Sequence, residues 1–166
     1  MRSIFKLKNI LLVLGVLLLV IQFFHPEKNQ SNDQTNHIAT KFAVPANVAS
    51  ILEVSCNDCH SNMTKYPWYN NIQPVAWYLD HHVQEGKGEL NFSEFGKYSL
   101  PRQYHKFEEI MKEVGSGDMP DGAFTLIHTE AKLDDTQRKI LIDWAKSCRD
   151  TLEAHNPMDS LVRKRR

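Results

Sequence analysis

Five consecutive residues, Cys56-Asn57-Asp58-Cys59-His60, hold the densest chemistry in a chain of 166 residues. Two thiols three positions apart, followed at once by an imidazole, suit covalent attachment of a single haem c. Each sulfur forms a thioether bond to a porphyrin vinyl group, and the two-residue spacer lets both reach one edge of the macrocycle. His60 then comes under the iron as proximal ligand. Two other chemistries use the same residue types. A thioredoxin-like redox pair needs a strand ahead of its C-x-x-C, whereas the residues ahead of Cys56 read as a helix. A structural zinc site needs a second pair of ligands at metal spacing; Cys148 is the one remaining thiol, and no second C-x-x-C or H-x3-H exists.

An electron-transfer haem needs a sixth iron ligand, and Met119 leads the candidates. It sits in Gly117-Asp118-Met119-Pro120-Asp121-Gly122, a loop composition unlike a core segment, and Pro120 stiffens the chain beyond it. A thioether ligand raises the haem potential. His82, on a predicted helix, is the rival; its plainer role is a bond to a haem propionate. Met63 lies too near the proximal side, and Met111 falls on a packing face. His81 points about 100° away from His82 on the same helix. His105 and His128 read as surface or supporting residues, and His25, His37 and His155 fall in flanking segments. Tyr66, Trp68, Tyr69, Trp77 and Tyr78 crowd the region after the motif, where core and haem wall would be the same thing, with Trp68 and Trp77 able to reach a propionate.

These residues need helices to position them. Pro45 precedes Ala46–Val54, where Val48, Ile51 and Leu52 share a face and lead into the motif. Pro74 suits the first turn of a second helix over Val75–Gln84, with Gly86 and Gly88 as its stop. A third helix is predicted over Arg102–Val114, ended by Gly115-Ser116-Gly117. Asp134 and Gln137 form a capping box for a last helix. Its stripe, Leu133, Gln137, Leu141, Trp144 and Cys148, marks Cys148 as a small buried residue. No segment alternates as a strand. The expected fold is therefore all-α, a small cytochrome c-like helical domain around one haem, preceded by an N-terminal membrane helix.

The chain start reads as an address. Arg2, Lys6 and Lys8 precede an apolar run from Ile10 to Ile21, extended by Phe23 and Phe24. No small-x-small cleavage site follows, so residues 1–25 are expected to be an uncleaved signal anchor, with the rest of the chain exported to the periplasm. Residues 26–44 are polar and aperiodic and read as a linker, 45–155 as the haem domain, and 156–166 as a basic tail ending Arg163-Lys164-Arg165-Arg166. The formal net charge is zero. With three bases spent at the N-terminus, the remainder is net acidic, which argues against nucleic acid as a partner.

The stretches Cys56–Asn62, Tyr66–Tyr69, Pro74–Trp77, His82-Val83, Leu90–Ser93, Met119-Pro120, Leu126–His128 and Trp144-Ala145 together resemble the bacterial haem-binding domain family over about residues 45–148. The resemblance implies an exported monohaem domain and leaves its physiological role open. The order of elements is also similar to a small class I cytochrome c, in which the motif follows an N-terminal helix and a later loop supplies a methionine. The leading expectation is a non-enzymatic electron carrier serving redox partner proteins at the inner membrane. A haem-based sensor with a displaceable or absent sixth ligand is the first alternative. A peroxidase-like enzyme is the second, weakened by the single C-x-x-C-H.

Overall fold

The computed structural model describes residues 2–162, and the terminal run Arg163–Arg166 lies outside them. Eight α-helices appear among the described residues: α1 (Arg2–Ile21), α2 (Ala46–Ser55), α3 (Asn57–His60), α4 (Val75–Glu89), α5 (Leu100–Ser116), α6 (Gly122–Ile127), α7 (Asp135–His155) and α8 (Met158–Leu161). Short 3-10 turns link them. The described residues contain no strand, only an isolated antiparallel bridge between Gln30 and Met63. The all-α expectation holds.

The core lies where α2 and α5 pack on α7. Phe107 of α5 is fully buried at its centre. Around it, Phe42, Phe95 and Trp144 place their rings at 4.9, 5.1 and 6.0 Å, with Phe42 and Trp144 edge-on. The Trp144 indole N–H donates to the Ala43 carbonyl at 3.0 Å. The capping box at Asp134 and Gln137 forms as the spacing predicts. Gly117 ends α5 in the left-handed region at φ 86°, and Arg138 donates to the Val114 carbonyl at 2.9 Å, satisfying a carbonyl of the last turn.

Four expectations need correction. The N-terminal membrane helix is the first: among the described residues no helix is long and apolar enough to cross a membrane. The uninterrupted apolar run is the short part of α1, since Lys6, Lys8 and Asn9 precede it. The run Ile10–Ile21 rises about 18 Å, against roughly 30 Å of bilayer hydrocarbon. The helix nevertheless keeps its apolar side chains out of the domain, with Leu7 and the leucines, isoleucine and valines from Ile10 to Val20 47–69% exposed.

The polar linker is the second. Residues 26–44 wrap onto the domain, and Ile38 and Phe42 enter the core. Backbone bonds join Ser31 to Asn62, Thr64 to Asn29, Ile38 to Phe92 and Gly96 to Asn36. Buried Asn29 donates to the Ser61 carbonyl and the Thr64 hydroxyl, and accepts from Lys87. Polar composition misleads here because buried asparagines replace apolar contact with completed hydrogen bonds.

The helix stop at Gly86 and Gly88 is the third. Both lie inside α4, which runs on to Glu89. Gly86 is there for close approach: a Cβ at that position would meet the Cys59 carbonyl at 2.7 Å. The fourth is the tail, since Leu161 of α8 is buried against the core and the packed domain reaches beyond 155.

Candidate cofactor site

The motif is built at the bend between α2 and α3. Cys56 leaves helical geometry at φ −132°, while its carbonyl accepts from the Cys59 and His60 amides at 3.2 and 3.0 Å. One tight turn therefore carries both thiols and the imidazole. α4 crosses this turn at Gly86, the position that only a missing side chain permits.

That crossing orients His60. Its Nδ1 lies 2.9 Å from the Gly86 carbonyl and 2.9 Å from the Leu90 carbonyl. Carbonyls only accept, so Nδ1 carries the proton and Nε2 keeps its lone pair. Burial pulls the His60 pKa below the ordinary value, against the opposing pull of the two carbonyls. The shift favours the neutral imidazole, the form that can ligate a metal. The His60 carbonyl in turn accepts from the Phe92 amide at 2.8 Å, and the Phe92 ring stands edge-on to the imidazole.

Both motif cysteines are free. Burial, and then the neighbouring Cys59, pushes the Cys56 thiol up to about 12. Burial followed by the charges of Asp58 and Asp121 pushes Cys59 up to about 11. A reactive dithiol pair has its thiol pKa lowered, not raised, so the electrostatics oppose thioredoxin-like chemistry.

A cavity of about 250 Å³ brings together Cys56, His60 and Met119. Leu52, Ile110, Val114 and Leu141 give it an apolar wall, and Lys106 with Glu89, Glu109 and Glu113 gives it a charged side. The Met119 amide is tied to the Glu113 carbonyl at 3.0 Å, which fixes the loop over this cavity. A second cavity of about 110 Å³ opens on Cys59 and is walled by Tyr69, Tyr78, Leu79 and Phe124. The segment from Met119 to His128 contributes to both cavities.

The remaining sequence candidates divide. His82 lines the second cavity, apart from His60 and Met119, with its Nδ1 2.9 Å from the Tyr78 carbonyl. Trp68 and Trp77, expected at the haem wall, line neither of these two cavities and are 76% and 42% exposed. Trp68 sits on a surface turn, and Trp77 faces outward from α4. Sequence reasoning missed Lys106, whose side chain is buried between Glu89 at 3.2 Å and Glu109 at 2.5 Å. Its spacing of four from Ile110 put it on the inner face of α5. His128, read from sequence as a surface or supporting residue, stacks on Phe124 and shares a 2.7 Å hydrogen bond with the Tyr69 hydroxyl.

The residues present suit a haem: Cys56, His60 and Met119 share one mostly apolar cavity, and Cys59, on the same turn, opens on the next. An all-helical domain with these groups belongs to the haem proteins. A sequence model of the haem-binding domain family matches residues 16–147, and the chain belongs to that family. The match begins before residue 26 and so takes in the segment that wraps the motif. No curated protein matches the chain. No solved structure matches it.

Proposed function

We propose that this protein is a monohaem c-type cytochrome that passes single electrons between partners at the bacterial cell envelope. Cys56 and Cys59 hold the haem through thioether bonds, and His60 and Met119 ligate the iron. The bound haem supplies a one-electron iron couple. The protein's residues do the rest. The Gly86 and Leu90 carbonyls fix the His60 tautomer and strengthen it as a donor. The apolar wall keeps water from the metal. Lys106, the cation lining the cavity, is suited to a haem propionate. With His60 and Met119 both bound, the iron would offer no open site to a substrate, which favours a carrier over an enzyme. The basic start and apolar α1 support export and retention at the inner membrane, with the haem domain in the periplasm and redox proteins as its partners.

The observation that carries this reading is the sharing of one cavity by Cys56, His60 and Met119. Protein made with a haem c maturation system should keep its haem through acid–acetone extraction. Its ferric form should show the weak far-red sulfur-to-iron charge-transfer band. Met119→Ala should remove that band, lower the reduction potential and admit carbon monoxide. Haem that extracts freely would end the covalent reading.

Met119 itself favours a second reading, because it is 39% exposed. A thioether at a cavity rim is readily displaced, which suits a haem sensor. Rapid carbon monoxide binding to the unmodified ferrous protein would replace the carrier with the sensor.

A further inference from the structure

We propose that the aromatic face around the exit of α1, made by Phe23, Phe24, Trp68, Ile72, Trp77 and Tyr78, rests on the lipid surface of the membrane. The inference deepens the membrane association proposed above and rests on it. All six side chains are exposed, Phe23 at 86% and Trp68 at 76%. The same domain buries Phe92, Phe95 and Phe107 almost completely. Aromatic residues left outside in this number, gathered in two short segments, mark a contact surface.

The two segments form one unit. The Gln22 side chain donates to the Gln73 carbonyl at 3.2 Å and accepts from the Gln73 amide at 2.9 Å. The Gln73 side chain donates to the Phe24 carbonyl at 2.6 Å. His25 Nε2 lies 3.3 Å from the Asn71 carbonyl. Gln73 is itself buried, so this is a fixed joint and not a passing contact. From Ile10 to Ile21 the helix that leads into the joint carries only apolar residues and Gly15, and its apolar side chains from Ile10 to Val20 are exposed, a surface that favours an apolar surrounding. With α1 lying along the lipid surface rather than across it, the joint holds Trp68, Ile72, Trp77 and Tyr78 near the same boundary.

Charge and residue type fit that boundary. Between His60 and Asp80 the chain has one charged side chain, Lys65, and no acid. The net acidic body would be repelled by anionic headgroups, but this face would not. Tryptophan and tyrosine favour the membrane–water interface, where an apolar ring meets lipid and a polar edge stays wet. A protein partner steered by charge would find almost none here to read.

The test uses the full haem-loaded chain in nanodiscs of phosphatidylethanolamine and phosphatidylglycerol. All three tryptophans carry a 5-fluoro label, and the protein is held ferrous. A gadolinium chelate on a fraction of the headgroups should broaden the fluorine resonances of Trp68 and Trp77 several-fold more than that of core Trp144. Trp68→Phe and Trp77→Phe assign the lines. Equal broadening of all three would overturn the proposal while leaving membrane association standing. Protein that stays out of the nanodiscs would overturn both. Shielding of Trp68 and Trp77 that follows protein concentration without lipid would assign the face to a second copy, and overturn the proposal as well.

Discussion

The His60 ring is oriented by the carbonyls of Gly86 in α4 and of Leu90 just past its end, and α4 comes this close only because residue 86 has no side chain. A methyl group at Gly86 would press on the Cys59 backbone at 2.7 Å, where nothing flexible can yield. Gly86→Ala should therefore cost about 1–3 kcal/mol, as overpacking does. Thermal melts should register the loss, along with a lower yield of attached haem. Gly88→Ala, with open space around it, should stabilise or do nothing, which makes it the control. Cys148 offers a second test at this scale. Burial pushes its thiol from 9.0 up to about 12. Alkylation needs the thiolate, so native Cys148 should resist iodoacetamide at pH 8 and label on denaturation. The folded pKa lies above the unfolded one, so this group's contribution to stability is whole below pH 9. It falls away as pH rises towards about 12.

Elements were legible in the sequence wherever an apolar stripe or a cap announced them. α7 is the clearest, with its box at Asp134 and Gln137, and α5 stops at Gly117 as the glycine pattern predicts. α4 was cut short because Gly86 and Gly88 look like breakers, and nothing local reveals that a distant turn needs the space. The site was legible in part. Spacing singled out Cys56, Cys59 and His60 and loop composition singled out Met119, and of these Cys56, His60 and Met119 line one cavity. Lys106 stayed hidden because a lysine three residues ahead of Glu109 reads as half of a solvated helix pair. The wrapping segment 26–44 was missed because its hold depends on pairings with residues 62, 64, 92 and 96, far along the chain. Its packing has a direct test. Ile38→Ala should cost about 2–5 kcal/mol in urea unfolding, as for any fully buried isoleucine. A true linker residue would cost nothing.

For the whole molecule, the contrast lies between a domain tied together on every side and a helix, α1, that leaves its apolar surface outside. Leu14 and Leu18 are about half exposed and serve no core. The double change Leu14→Glu and Leu18→Glu should move the protein from membranes to the soluble fraction with its melting temperature and haem spectrum unaltered. Retention on membranes after that change would remove α1 from its proposed role.

The bonds from Asn29 and Ser31 to residues 61–64 also set how far the domain can travel. A loose stretch of nineteen residues, 26–44, would let a haem sweep a hemisphere tens of ångströms wide. Here that stretch is folded back and fastened, so there is no slack to pay out. If the proposed haem is bound, a centre held this way would not swing out as a shuttle, and its proposed partners would have to come to it.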